Sequence, residues 1–164
     1  MPRLLRFAVL AAGLALSGCG LFSGDGPGPA ENATKAVVLD PVAAAAAISG
    51  YRAAHGLGPV ALDAALARAA ADQAEANARA GRLSHELGGG FPVRLARAGF
   101  GGRYAAENLG AGAETLDEAL ARWKASPEHN KNLLMPQVQR IGIARVDAPG
   151  TRYKRYWALV LAST

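Results

Sequence analysis

An α+β fold, with helices flanking a small and mainly antiparallel sheet, is predicted by three observations. Residues 138–146 and 153–162 are rich in apolar side chains on both faces and are separated by the turn signal Asp147-Ala148-Pro149-Gly150, which reads as an antiparallel hairpin needing cover on both sides. Several earlier segments repeat apolar or small residues at helical spacing behind capping residues, and these can supply the cover. Between Gly81 and Gly112, nine glycines break the chain into short pieces, a loop-rich stretch long enough to predict function there.

Asp40-Pro41 offers a cap and a proline at the first helical position, and the alanine-rich segment to residue 54 sets Ile48 and Tyr51 on one side. Gly56 and Gly58-Pro59 stop it, leaving His55 at a helix end or on the surface. A second helix runs over residues 63–80, with Asp63 as cap, Leu66 and a file of alanines as its apolar stripe and Gly81 as left-handed terminator. A short helix is expected over residues 92–98 and a strand over residues 104–109. Thr115-Leu116-Asp117-Glu118 forms a capping box, followed by Ala119, Leu120 and Trp123 at helical spacing to residue 125. Ser126-Pro127 caps the next helix, which Pro136 closes. Both tryptophans, Trp123 and Trp157, are expected in the core.

The start of the chain has its own logic. Arg3 and Arg6 precede an apolar run over residues 7–16, too short to span a bilayer. Leu16-Ser17-Gly18-Cys19 then forms a lipobox, predicting cleavage before Cys19 and acylation of its thiol, hence an exported lipoprotein held on a membrane. Gly20, rather than aspartate, after that cysteine favours the outer membrane. Removing 18 of the 164 residues leaves 146, enough for one domain, and lowers the formal charge from +5 to +3. Residues 19–36 read as acylated cysteine and Gly/Pro-rich tether, and residues 37–164 as the folded domain. Cys19 is the only cysteine, so no disulfide supports that domain. Export argues against nucleic acid as partner despite the basic balance. Arg152, Lys154 and Arg155 read as a solvated basic cluster, and Gly88-Gly89-Gly90 lacks the lysine of a phosphate-binding loop.

Three histidines carry what chemistry there is. His129 falls in the first turn of a helix, where the dipole favours a neutral ring with a nitrogen free to accept or ligate. Neutral imidazoles are good zinc ligands, and a nearby carboxylate can orient one or deprotonate a bound water. His85 and His129 stand 44 positions apart, so only the fold could join them, and spacing lends no support. The residues also admit plainer roles: His85 as a helix-end residue on a carbonyl, Glu107 as a strand-edge carboxylate, His129 as part of a cap.

Taken in order, Tyr51-Arg52 with Gly56-Leu57, Leu83-Ser84-His85, Ala106-Glu107-Asn108-Leu109, Trp123 with Ser126-Pro127-Glu128-His129, Asn132-Leu133-Leu134 and Ile141-Gly142-Ile143-Ala144 resemble the CAP superfamily of cysteine-rich secretory, antigen five and pathogenesis-related proteins, in its bacterial extracytoplasmic form. The resemblance covers residues 42–163. It implies a three-layer α/β/α sandwich and a cleft carried by His85, Glu107 and His129. Zinc or another divalent cation on His85 and His129 is a further implication. Asn108 and Asn132 match positions read as pinning cleft backbone. Ser126 stands where many relatives have a second glutamate, and Glu128 where bacterial ones commonly have glycine; Ser126, Asn108 and Glu128 complete the expected binding set. The resemblance implies an envelope binding module for a lipid, wall or peptide ligand. The alternatives are a metal-dependent peptidase or esterase with Glu107 activating water, and a purely structural envelope protein.

Overall fold

The computed structural model describes residues 35–36 and 39–164; the expected signal segment, the lipobox with Cys19 and most of the tether lie outside the described residues. In chain order the elements are β1 (Lys35–Ala36), α1 (Pro41–Ala53), β2 (Ala61–Leu62), α2 (Ala64–Ala80), α3 (Phe91–Arg97), β3 (Ala105–Ala111), α4 (Leu116–Ala125), α5 (Pro127–Leu133), β4 (Arg140–Ala148) and β5 (Lys154–Ala162). The sheet has the order β1-β4-β5-β3, with β2 joining β4 in parallel and the other pairings antiparallel. Strand β3 therefore forms one edge.

The α/β/α layering follows from the alternation of β5. Trp157, Leu159 and Leu161 pack with α1, α4 and α5 through Ile48, Leu120, Trp123 and Leu133. Tyr156, Ala158, Val160 and Ala162 pack with α2 through Leu66, Ala69, Ala70, Ala74 and Ala78. Successive side chains of a strand point to opposite faces, so a strand apolar on both faces is buried on both.

Local chemistry explains the helix bounds. Asp40 Oδ1 accepts from the N–H groups of Val42 and Ala43, and Asp63 Oδ1 from those of Ala65 and Leu66, satisfying donors with no partner inside the helix. Gly81 ends α2 at φ 65, a left-handed conformation that disfavours any residue with a Cβ. The capping box is shifted: Thr115 Oγ1 accepts from Glu118 N–H at 3.2 Å, but the Glu118 carboxylate reaches back to Glu114 N–H rather than Thr115 N–H. That bond, then the Arg122 guanidinium, holds the Glu118 carboxyl below its ordinary pKa.

Four details differ from expectation. β3 runs two residues beyond 109, because its pairing with β5 continues to Ala111 opposite Tyr156. β4 starts at Arg140 and runs through Asp147 and Ala148, because Arg145 binds both oxygens of the Asp147 carboxylate and leaves it no turn to cap. The turn moves to residues 149–153, where Thr151 Oγ1 donates to Ala148 O and accepts from Lys154 N–H and Tyr156 Oη–H. Two short strands were not foreseen: Ala61–Leu62 beside β4, and Lys35–Ala36, drawn from residues assigned to the tether.

Candidate functional site

The candidate site is built along β3, which ends the sheet among the described residues. Glu107 and Asn108 are neighbours in that strand and point to opposite faces of the sheet. Glu107 turns to the α2–α3 side, where its side chain is 2% exposed and meets Arg94 of α3. Arg94 is fully buried; its Nη2 donates to Glu107 Oε1 at 2.8 Å and Oε2 at 2.7 Å, and its Nη1 donates to the carbonyls of His85, Leu87 and Gly89. One guanidinium thus holds the carboxylate and the loop that carries His85. Behind that loop, Gln73 and Asn77 of α2 bind the backbone of Ser84, donating to its carbonyl and accepting from its N–H.

His85 comes to Glu107 as the resemblance implied, with Nδ1 2.7 Å from Oε1. An ion-paired carboxylate only accepts, so Nδ1 carries the proton and Nε2 is the nitrogen left for a ligand. On the other face, Asn108 Nδ2 donates to the His129 carbonyl at 3.0 Å, and Asn132 Nδ2 donates to Asn108 Oδ1 at 2.9 Å. His129 is half-buried at the third position of α5. Burial lowers its pKa first and the charge of His85 second, against an opposing pull from Glu128.

Ser126 is the N-cap residue of α5 through its backbone, its carbonyl accepting from Asn130 N–H at 2.8 Å, but its hydroxyl makes no cap hydrogen bond. Capping by the side chain, expected from the sequence, is thus absent, and Ser126 lines a cavity instead. That cavity, about 290 Å³, lies against Leu109, Gly110 and Ala111 of β3, beneath Trp123 and beside His129. Its walls are apolar, with Arg122 at the rim held by Glu118 and by Ala111 O. Glu128 is exposed, and His55 stacks on Tyr51 away from these groups, its Nδ1 2.9 Å from Tyr51 O. Trp123 and Trp157 are buried core residues whose indole N–H groups donate to Leu109 O and Ala113 O.

Among the described residues no three His, Cys, Asp or Glu side chains are grouped to hold an ion. Arg94 takes both oxygens of Glu107, leaving two imidazoles. Two imidazoles suit a loosely held divalent ion with solvent completing its shell, and fall short of the three protein ligands of catalytic zinc.

Two buried arginines that organise this region were missed from the sequence. Besides Arg94, Arg52 of α1 lies 1% exposed and donates to the carbonyls of Gly58, Leu133, Met135 and Val138, tying down the end of α5. Its place four residues after Ile48, on the buried side of α1, was the available signal. Replacing Arg52 with methionine should cost about 2–3 kcal/mol by stranding buried carbonyls, read as a lower urea midpoint with unchanged slope.

The His129 shift has a pH consequence. Its folded pKa lies below the ordinary 6.5, so the unfolded chain binds the proton more readily and stability falls as pH drops below 6.5 toward the folded value. An NMR titration of the ring should give a midpoint under 6.5, and His129→Gln should flatten that part of the stability profile.

The profile of the CAP group, described as the cysteine-rich secretory protein family, matches residues 45–161. Among solved structures, an extracellular protein containing an SCP domain from Bacillus anthracis is similar at TM-score 0.66 and 24% identity, over 75% of this chain and 40% of that one. An outer surface protein of Borrelia burgdorferi is similar at TM-score 0.67 and 20% identity, over 79% and 98%. A cysteine-rich secretory protein of Staphylococcus aureus is similar at TM-score 0.59 and 16% identity, over 75% and 38%. The chain spans well under half the length of the Bacillus and Staphylococcus proteins. No curated protein sequence matches it.

Proposed function

We propose a ligand-binding role outside the cytoplasm for this chain, which belongs to the CAP family of cysteine-rich secretory proteins. The observation that carries the reading is the apolar cavity of about 290 Å³ between β3 and α4, opening beside His129 and Ser126. It is close to the smallest usual ligand pockets of ~300 Å³, and pairs apolar walls with a few convergent polar groups. A ligand with an apolar part for the cavity and a polar part for the histidines suits it.

Export and anchoring enter on the lipobox at Cys19 and on the extracellular and outer-surface proteins that share the fold. Acylation at Cys19 predicts palmitate labelling in the membrane fraction; wild type remaining unlabelled would refute the anchor, and loss of label in Cys19→Ser would assign it. A divalent ion on His85 Nε2 and His129 would supply Lewis-acid polarisation. The hydrolase alternative needs Glu107 as a free base, and both its oxygens are held by Arg94. No observation favours it over binding.

The test of binding is direct. Decanoate and, separately, acetylated hexapeptides are titrated into ¹⁵N-labelled protein, and the amides of Gly110 and Ala111 should shift. Ala119→Leu, which extends a buried wall residue into the cavity, should weaken binding at least tenfold. Equal affinity in a folded Ala119→Leu protein would move the site elsewhere.

A further inference from the structure

The direction of β1 decides which end of the domain the chain enters from. β1 runs antiparallel to β4, with Lys35 opposite Asp147 and Ala36 opposite Val146. The chain therefore reaches Lys35 from the end of the sheet where the β4–β5 turn lies. Between Cys19 and Lys35 stand 15 residues, which at full extension span at most roughly 50 Å. An acylated Cys19 would keep the domain near a bilayer, and this entry point puts the β4–β5 turn on the side that the anchor lies.

The turn has the chemistry of a membrane contact. Arg152, Tyr153 and Lys154 are consecutive exposed residues, and the Arg152 guanidinium lies 5.3 Å from the centre of the Tyr153 ring. The end of α2 abuts them, since a Cβ at Gly81 would lie 3.7 Å from Thr151 Cγ2, and Arg82 just beyond is exposed. On the flanking elements Arg79, Arg122, Arg145 and Arg155 are each paired with a carboxylate. Arg82, Arg152 and Lys154 have no carboxylate partner among the described residues, against one exposed acid, Asp117, in the first turn of the neighbouring α4. Lys154 also stands at φ 64, where the other positive-φ residues described are glycines. The position thus carries a charge where the backbone favours glycine.

We propose that the β4–β5 turn docks on an anionic phospholipid surface, with Arg82, Arg152 and Lys154 at the headgroups and the Tyr153 ring at the interface. Each cation near such a surface is worth about fivefold in affinity, and a phenol pairs an apolar body with a polar tip, the pattern of side chains in membrane-interface belts. Acyl chains retain the domain on the bilayer, and the turn fixes which end of it faces lipid. Salt screens the second contact and not the first. The inference draws on the proposed anchor at Cys19 for its entry geometry and stands apart from the ligand cavity.

The experiment places the full ¹⁵N-labelled chain on nanodiscs of phosphatidylcholine alone or mixed equally with phosphatidylglycerol, each doped with a gadolinium-chelating lipid. On the anionic discs the amides of Arg152, Tyr153 and Lys154 should lose at least twice the NMR intensity lost at Gly56 and Gly58. Those glycines lie at the opposite end of the sheet, where Arg52 holds Gly58 O and Ala61 pairs with Arg140. The contrast should shrink at least twofold on neutral discs or in high salt, and vanish when Arg82, Arg152 and Lys154 are all replaced by glutamine. Lys154→Gly removes one charge while relaxing the backbone, so it should reduce the contrast with a urea midpoint no lower than wild type; a lower midpoint with full contrast would overturn the role of Lys154. Co-migration with both discs and equal broadening at both ends would overturn docking and leave the anchor. Broadening of the turn on anionic discs, without co-migration with neutral ones, would support docking and remove the anchor. Co-migration with neither would remove both. Inorganic polyphosphate shifting the turn amides more strongly than anionic discs would overturn the proposal in favour of an anionic polymer.

Discussion

Arg94→Met is expected to cost about 3–5 kcal/mol of folding free energy, the usual penalty for removing one partner of a buried ion pair. The reason lies in what it leaves behind. Glu107 would keep a carboxylate 2% exposed with only His85 beside it, and the carbonyls of His85, Leu87 and Gly89 would lose a shared donor. Urea unfolding checks the size. Arg94→Lys restores the charge but not the planar spread of donors that reaches carboxylate and loop together, so it should recover only part of the loss. The decisive comparison is the double variant Arg94→Met with Glu107→Leu. Replacing a buried pair by apolar groups of similar volume is often neutral or better, so the double variant should be more stable than Arg94→Met alone. It should also lose the fixed His85 ring, visible as a mixture of imidazole tautomers by NMR. If Arg94→Met loses under about 1 kcal/mol, less than a typical stranded buried group costs, the ion pair is not what holds this loop.

That network marks the boundary of what was legible beforehand. The helices were legible because their ends carry local chemistry: Asp40, Asp63 and Thr115 meet the N–H groups two or three residues on, and Gly81 takes a positive φ. The double-sided burial of β4 and β5 was legible because two faces of apolar residues demand two covers. The turn between them lies two residues beyond its signal at Asp147, since Asp147 answers to Arg145 in its own strand rather than to the turn. His85, Glu107 and His129 were assigned to one cleft only through the resemblance; nothing in a separation of 44 residues joins them. Arg52 and Arg94 escaped because an arginine among alanines reads as a solvated face. What buries Arg52 is a set of carbonyls up to 86 residues away, which no local window contains.

Gly142→Ala should be the most damaging single methyl in the molecule. Gly142 sits in β4 opposite Val160 of β5, and a Cβ built there would lie 2.0 Å from Leu66 C, 2.1 Å from Ala67 N and 2.4 Å from Leu66 O. These are backbone atoms of the first turn of α2, so no side-chain rotation relieves the clash. Nor is the helix free to lift. Asp63 N–H donates to Ile141 O at 2.9 Å, the Asp63 carboxylate accepts from Arg140 at 2.9 Å, and Leu66 and Ala69 are wholly buried against the sheet. The only relief is to move α2 off β4, opening the layer that also holds Gln73 and Asn77 against the His85 loop. Overpacking usually costs 1–3 kcal/mol, and this case should exceed it at ~4 kcal/mol or more, giving a protein that unfolds early or fails to accumulate. Gly50→Ala is the matched control. Gly50 lies inside α1 with nothing within 4 Å of the added methyl, so alanine should stabilise the helix by about 0.5–1 kcal/mol. At ~2–4 °C per kcal/mol for a chain of this size, the two melting temperatures should move in opposite directions. A Gly142→Ala protein melting with wild type would mean that α2 does not rest on β4 as closely as the cleft requires.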